Sequence, residues 1–150
     1  MERSFIIVKP DAVQRGLVGA VLHRFEQKGL KLVALKMLRI TKEQAACQYS
    51  CHLGKPFYET LVQFMVSGPA VALVVEGKNA ILLVRKMIGA TDPDKSEPGT
   101  IRGDFSIDVK HNIVHASDSL ESVAHELPIY FSEQELLKYD PALQGWFYSG

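Results

Sequence analysis

The chain has 150 residues, 47% of them hydrophobic and 23% charged, the composition of one ordinary globular domain spanning residues 1–150 and not of a disordered chain. Its longest uninterrupted apolar run, residues 70–75, falls well short of the roughly 20 residues a spanning helix needs, and residues 1–8 lack the order of a secretory leader. Lys and Arg number 17 against 17 Asp and Glu, a balance that argues against coating nucleic acid or anionic membrane yet leaves room for a local phosphate pocket.

Residues 4–8 form a short β-branched apolar stretch and predict a first strand, ended by Lys9-Pro10-Asp11 because proline has no N–H to give to a ladder. Val18, Val21, Leu22 and Phe25 recur at helical spacing, and Gly29 closes that helix. Residues 30–40 alternate loosely, with Val33, Leu35 and Met37 on one side, and read as a strand. Thr41-x-x-Gln44 is a capping box opening a short helix. Pro56 begins another, with Phe57, Leu61, Val62 and Met65 on one face, and Ser67-Gly68-Pro69 turns the chain into a continuous apolar strand at 70–76. Asn79 is the expected cap of a helix whose inner face is Ala80, Leu83, Val84 and Met87. Residues 89–103 read as a long loop, 112–115 as a strand, and Asp118-x-x-Glu121 as the cap of a helix stopped by Pro128. Residues 129–131 fit a strand or a connector, and Ser132-x-x-Glu135 caps a last helix. With the small inserted helices removed, the order is β-α-β-β-α-β. This predicts an α+β, ferredoxin-like βαββαβ sandwich, a four-stranded antiparallel sheet covered by helices; a flavodoxin-like parallel sheet is the rival.

Neither G-x-x-x-x-G-K-[ST] nor G-x-G-x-x-G occurs, so a phosphate site here has to be built from side chains. Three clusters could supply one. Lys9-Pro10-Asp11 stands at a strand end. Arg85, Thr91 and Pro98-Gly99-Thr100-Ile101-Arg102-Gly103-Asp104 bring two guanidinium forks, which suit phosphate oxygens, close to hydroxyls and a glycine-containing turn. Asn112-Ile113-Val114-His115-Ala116-Ser117-Asp118-Ser119 puts a histidine where a strand gives way to a capped helix, and Glu126 lies far enough along that helix to fold back onto the imidazole. Each cluster alone also fits a purely structural role. Cys47 and Cys51 are two ligands where structural zinc takes four, and read as free thiols of a reducing compartment. His111 and His115 on one strand would stand roughly 13 Å apart, too far for one ion. His23 and His125 read as surface residues, and Trp146, Phe147 and Tyr148 as a packing or subunit-contact tail.

Taken together, these blocks resemble the nucleoside diphosphate kinases. The resemblance runs from Glu2 to about Trp146. It rests on Asn112-Ile113-Val114-His115-Ala116-Ser117-Asp118-Ser119, Lys9-Pro10-Asp11-Ala12-Val13-Gln14-Arg15-Gly16, Gly54-Lys55-Pro56-Phe57-Tyr58, Ser67-Gly68-Pro69 and Pro98-Gly99-Thr100-Ile101-Arg102-Gly103-Asp104-Phe105, in one order. It implies the ferredoxin-like sandwich and a ping-pong transfer of the γ-phosphate of a nucleoside triphosphate, typically ATP, through a phosphohistidine on His115 to a nucleoside diphosphate. By the same resemblance, Glu126 would orient His115, with Ser117 beside them. Lys9 would reach the phosphates and ribose, Phe57 would stack on the base, and Arg85, Thr91 and Arg102 would grip phosphates, with Tyr49 and His52 nearby. Asn112 would bond the sugar. Mg2+ would bridge phosphates through water, Asp118 being the nearest carboxylate. A homo-oligomer, hexamer or tetramer built from dimers, is implied as well, while the free thiols, short apolar runs and balanced charge lead to the expectation of a cytoplasmic protein with no membrane and no specific nucleic-acid partner.

Ala12, Gln48, Asp92 and Ala116 depart from the commonest family pattern, and the two alanines, standing where glycine is frequent, are expected to take ordinary negative φ. None of the four removes a group with a chemical role. Two other readings fit the same features: a nucleotide-binding module that kept the pocket without the chemistry, and a metal-dependent phosphohydrolase, for which acidic pairs at useful spacing are missing.

Overall fold

The computed structural model describes residues 1–149. Its sheet has the order β2-β3-β1-β4, with β1 at Glu2–Val8, β2 at Lys31–Arg39, β3 at Pro69–Gly77 and β4 at Val114–Ala116. All three pairings are antiparallel, which rules out the flavodoxin-like rival. The helices are α1 Pro10–Gln14, α2 Val18–Gln27, α3 Lys42–Gln48, α4 Tyr58–Met65, α5 Ala80–Ile88, α6 Ile101–Phe105, α7 Leu120–Tyr130 and α8 Gln144–Phe147. Stripped to β1-α2-β2-β3-α5-β4, this is the ferredoxin-like α+β sandwich the element order predicts.

β1 and β3 each carry an unbroken apolar run, residues 5–8 and 69–75, because both sheet faces are covered there. Side chains alternate between two cores. Ile6, Val8, Leu73 and Val75 pack with Val21 and Phe25 of α2 and with Ala80, Val84 and Ile88 of α5. Phe5, Ile7, Ala72 and Val74 face the other way, onto Ala45 of α3, Val62 and Met65 of α4, and Tyr130 of α7. Phe5 stacks on Tyr130 with ring centroids 5.3 Å apart. Among the described residues no helix is long and apolar enough to cross a membrane.

Local chemistry departs from the sequence expectations at several places. In β2 a register shift between Leu32 and Ala34 breaks the alternation. Val33 and Ala34 are both buried, while Leu35 and Met37, expected beside Val33, point outward from this edge strand. The helix after Pro56 starts at Tyr58, leaving Phe57 just before it and half exposed rather than on the packed face. Asn79 precedes α5 with a left-handed φ of +52° and makes no side-chain cap; Glu2 Oε1 instead accepts the Ile81 N–H at 2.8 Å. Residues 89–103 are not all loop: Pro93–Lys95 forms a 3-10 turn and α6 begins at Ile101. The last strand runs from Val114 to Ala116, two residues later at its start than the predicted 112. Ser119, not Asp118, caps α7 by accepting the Ser122 N–H at 3.0 Å. Pro128 lies inside α7, which continues two residues past it to Tyr130 instead of stopping there. Residues 129–131 are therefore the end of that helix and its cap. The Ser132 capping box is present but opens only a 3-10 turn, Glu133–Glu135.

Other expectations hold. Thr41 and Gln44 form a reciprocal capping box. Gly29 closes α2 with φ +93°, a conformation open to glycine without strain. Ala12 and Ala116 have negative φ. His23 is exposed, and Trp146 stands 87% exposed in the tail. A cavity of about 330 Å3 opens at the C-terminal tail, lined in part by Met1, Leu30, Tyr139 and Phe147, and none of the residues singled out for chemistry lines it.

The Glu2 contact is the main side-chain support for the start of α5. Glu2→Ala should lower stability by about 1 kcal/mol, and Glu2→Gln, which keeps an acceptor oxygen, by less. The measurement is the urea midpoint at constant slope; an unchanged midpoint in Glu2→Ala would show that the cap is not made in solution.

Candidate active site

β4 is the short edge strand of the sheet, and its pairing decides which way its polar groups point. Ile7 faces His115 in the ladder and the Ser117 N–H donates to Phe5 O at 3.0 Å. Residues 115 and 117 therefore bond to β1, and the carbonyls of 114 and 116 point off the free edge. Two arginines take them up. Arg85 of α5 donates from Nη1 to Ala116 O at 3.1 Å, and Arg102 of α6 donates from Nη2 to Val114 O at 2.6 Å. His115 stands between these two carbonyls, its side chain 18% exposed.

The His115 ring is held from one side. Nε2 faces Glu126 Oε1 at 3.1 Å, and the other carboxylate oxygen accepts the Ser117 hydroxyl. A carboxylate accepts only, so Nε2 carries the proton and the Nδ1 lone pair is left over. Among the described residues Nδ1 makes no hydrogen bond. Glu126 and Ser117 are buried, Glu126 reaching back from one turn before the end of α7, as its sequence position suggested. Tyr49 sets its ring edge to His115 with centroids 5.9 Å apart. A chain of rings then leads outward: Tyr49 lies 6.4 Å from His52, and His52 lies 5.2 Å from Phe57, which is 48% exposed. The Tyr49 hydroxyl is buried without a partner, and burial raises its pKa. Gln48, a departure from the family pattern, accepts a hydrogen bond from the Tyr130 hydroxyl at 2.6 Å.

The cationic side is also buried. Lys9, at the end of β1, donates from Nζ to Asn112 Oδ1 at 2.7 Å. Its pKa is lowered to about 8, chiefly because burial penalises the ammonium and next because of the Arg102 charge. Arg102 is 3% exposed and donates from Nε to Asn112 O at 3.2 Å and from Nη1 to Gly89 O at 3.1 Å, besides its bond to Val114. Burial and the neighbouring Arg85 bring its pKa down to about 10. Three of its five N–H groups are thus committed to backbone, so it is a structural tie as well as a phosphate candidate. Asn112 donates from Nδ2 to Thr91 O at 3.3 Å, which brings the exposed Thr91 to the same rim.

The chain that carries Arg102 is fixed by residues the motif reading did not single out for this. Arg24 of α2 donates to Gly99 O at 2.8 Å and to Asp104 Oδ2 at 2.5 Å, while Asp104 Oδ1 accepts the Gly99 N–H at 2.9 Å. Gly103 lets the turn close: a Cβ there would sit 1.9 Å from Glu97 O. A charged Arg24 on an otherwise amphipathic helix is the only sequence signal for this clamp. A second unforeseen feature is Ile113, whose φ of +76° is rare for a β-branched residue and costs on the order of 1–3 kcal/mol.

Asp118 is the one predicted site residue joined to this group by neither a hydrogen bond nor a ring contact among the described residues. It is exposed, and its Oδ1 accepts the Ser122 hydroxyl at 2.5 Å, a contact that holds its pKa below the ordinary value. His111 lies against Phe64 at 5.0 Å. Among the described residues no three of His, Cys, Asp and Glu are grouped to hold a metal ion, and Cys47 and Cys51 are free and exposed. The arrangement therefore presents a nucleophilic imidazole nitrogen, buried cations and an unpartnered hydroxyl, with an aromatic ring at the rim: groups suited to a phosphorylated aromatic ligand.

Comparison with known proteins agrees. A family model described as nucleoside diphosphate kinase matches residues 2–136. A nucleoside diphosphate kinase of Carboxydothermus hydrogenoformans is 55% identical over 148 residues, 99% of this chain and 99% of that protein. The structure of a halophilic nucleoside diphosphate kinase from Halobacterium salinarum in complex with CDP superposes with a TM-score of 0.95 at 45% identity, covering 99% of each chain. A nucleoside diphosphate kinase family protein from Babesia bovis superposes with a TM-score of 0.96 at 45% identity, covering 99% of this chain and 100% of that one. The matched span holds β1 to β4, both arginines and the His115–Glu126 pair, and with that degree of identity over nearly the whole length the chain belongs to the nucleoside diphosphate kinase family of nucleotide-binding phosphotransferases.

Proposed function

We propose that this chain, as one domain over residues 1–150, moves the γ-phosphate of a nucleoside triphosphate, typically ATP, to a nucleoside diphosphate of any base through a phosphohistidine on His115. The observation that carries the proposal is the His115 ring, with Nε2 against Glu126 and Nδ1 without a partner among the described residues. In the first half-reaction the Nδ1 lone pair forms an N–P bond to the γ-phosphorus. The bond from that phosphorus to the bridging oxygen breaks, and the diphosphate leaves with the oxygen and its electron pair. In the second, a terminal oxygen of another diphosphate attacks the phosphorus, the N–P bond breaks and the pair returns to Nδ1. One pocket thus serves both halves. The attacking ring has to be neutral, because a protonated Nδ1 has no lone pair to give.

The roles of the remaining residues follow from charge and reach. Glu126, itself held by Ser117, fixes the tautomer and takes up the charge that develops on the ring. Lys9, Arg85, Thr91 and Arg102 receive the phosphates, with the free Tyr49 hydroxyl and His52 beside them, and the transition state spreads charge over oxygens that these donors face. Asn112 and Lys9 bond the sugar. Phe57 stacks on the base, and stacking reads no hydrogen-bond edge. The family uses a divalent cation, and the residues here fit Mg2+ carried by the nucleotide: no carboxylate cage is present among the described residues, while buried cations complement a polyphosphate. Mg2+ would neutralise phosphate charge, and Asp118 would hold it through water. The apolar Leu35 and Met37 on the outer edge of β2 support self-assembly, a hexamer or tetramer of dimers, and two exposed free thiols suit the cytoplasm.

Three measurements test this proposal. Incubation with γ-labelled ATP should leave acid-labile, base-stable label on His115, transferable to any nucleoside diphosphate. Label surviving in His115→Ala would refute the nucleophile, and no label in the parent chain would point to a binding module.

Phe57→Ala should weaken nucleotide binding by about 1–3 kcal/mol, alike for purines and pyrimidines. Calorimetric titration with four different diphosphates checks this; a loss confined to one base would mean edge recognition.

Lys9 loses its proton near pH 8 in the free protein, and a polyphosphate favours the charged form. ADP affinity should therefore fall as pH rises above about 8, by at most about tenfold per pH unit, since one proton is taken up. Lys9→Met should bind more weakly and with a flat profile from pH 7 to 9.5. A flat profile in the parent chain would exclude Lys9 as the titrating contact.

A further inference from the structure

We infer that Asp11 is a positioning residue for the His115 chemistry, acting through the strained turn at Ile113. The inference rests on the phosphohistidine reading proposed above. Ile113 has φ +76°, and the Val114 N–H donates to Asn112 O, two residues back, at 2.8 Å. These two facts define a γ-turn of the positive-φ kind, a rare and strained conformation, and a branched Cβ makes it less favourable still. Such a turn persists only where its surroundings over-determine it.

The segment leaving β1 does so. Asp11 Oδ2 accepts the Ile113 N–H at 3.1 Å, and the Lys9 N–H donates to Ile113 O at 2.9 Å. Both polar groups of the strained residue are therefore tied to Lys9 and Asp11. Asp11 sits in the first turn of α1, behind Pro10 with its fixed φ, so its carboxylate starts from a rigid base. Its other oxygen, Oδ1, is buried with no partner. The bond to Ile113 is the only side-chain hydrogen bond Asp11 makes among the described residues.

The turn fixes residues on both sides of it. Asn112, before it, accepts from Lys9 Nζ and from Arg102 Nε. Val114, after it, accepts from Arg102 Nη2, and His115 follows. Relaxation of Ile113 to negative φ rotates Asn112 against His115 and breaks the alignment of sugar contact, phosphate contact and nucleophile. A misplacement of about 1 Å at a reacting group costs up to about 100-fold in rate. A carboxylate near Lys9 and Arg102 could instead act as a counter-charge, and the two roles separate cleanly: Asp11→Asn removes the charge but keeps a carbonyl acceptor for the Ile113 N–H.

The experiment compares Asp11→Asn, Asp11→Ala and Asp11→Ala combined with Ile113→Gly in the full chain. Single-turnover labelling of His115 by γ-labelled ATP gives the rate at saturation and the half-saturating concentration, and amide exchange reports the Ile113 N–H. Asp11→Ala should lower the saturating rate by about 10- to 100-fold with a much smaller change in half-saturation, and should speed exchange at Ile113. Asp11→Asn should stay within about threefold of the parent. Glycine at 113 takes positive φ without strain, so the double variant should recover at least about fivefold over Asp11→Ala. The inference is overturned if Asp11→Ala reacts like the parent, if Asp11→Asn is as slow as Asp11→Ala, or if the double variant gains nothing. Should Asp11→Ala not fold, a loss of more than about tenfold in Asp11→Asn overturns it alone, and a smaller loss with slow exchange at Ile113 supports it. Absence of label in the parent fails the phosphohistidine reading, while exchange at Ile113 in Asp11→Asn and Asp11→Ala still decides whether Asp11 holds the turn.

Discussion

The site depends on three backbone carbonyls next to the histidine that are held by guanidinium groups instead of by a neighbouring strand. Arg102 takes Asn112 O and Val114 O, and Arg85 takes Ala116 O. β4 is an edge strand of three residues, and two of those carbonyls face away from the sheet. An edge normally leaves such groups to water or to another strand. Here they recruit positive charge instead, so the free edge of the sheet becomes the cationic wall beside His115. The fold needs its edge satisfied and the chemistry needs its phosphates received, and in the proposed mechanism one pair of side chains serves both needs.

That solution leaves an imbalance in the free protein. Lys9 and Arg102 are both buried, and Arg102 depresses the proton affinity of Lys9 as Arg85 depresses that of Arg102; the first cause for both is loss of water, not repulsion. Their side-chain hydrogen bonds go to an amide and to carbonyls, not to carboxylates. Buried charge without a hydrogen-bonded opposite partner is costly, and the nearby Asp11 charge offsets only part of it for Lys9. Below about pH 8, where Lys9 stays protonated, that cost falls on the folded state. A polyanion entering the pocket removes it, so part of the binding energy is relief of a strain already present. The unpartnered Tyr49 hydroxyl adds to the same argument, since a buried hydroxyl without an acceptor gains by meeting a phosphate oxygen.

How much of this could be read from the sequence varies with the range of the interaction. Strands β1 and β3, with their unbroken apolar runs, and helices α2 and α5, with their period, were legible because burial repeats along the chain. The sandwich followed from the order of those elements. The His115–Glu126 pair was legible because an eleven-residue separation across a strand-to-helix turn brings the two together whatever packs around them. The β2 bulge was not, since Val33, Leu35 and Met37 carry the same period whether or not one residue is inserted. The start of α5 was misread because Asn79 has the chemistry of a cap while the cap comes from Glu2, 79 residues before the amide it binds. Ile113 left no signal at all: nothing about an isoleucine suggests positive φ, and only the contacts from Asp11 and Lys9 reveal why it is held there. Arg102 was singled out as a phosphate ligand, and its burial and three backbone bonds became visible only in three dimensions.

Burial also divides the site into a rigid part and an adaptable one. His115, Glu126, Ser117, Lys9, Asn112 and Arg102 stand on or next to elements of the two cores, and apart from the part-exposed His115 all are buried. The groups proposed for the base end, His52 and Phe57, lie on a 3-10 turn and at the start of a short helix, and their neighbours at 53–56 are exposed. Phosphoryl transfer demands placement within fractions of an ångström, and a packed core supplies it. Tolerance of purines and pyrimidines demands the opposite: a ring face that meets any base at similar cost and carries no fixed donor or acceptor to mismatch. With the aromatic at the solvent rim and the nucleophile against the core, one chain meets both demands under the proposed assignment, in which the residues with the fewest tertiary constraints are those that face the variable part of the substrate.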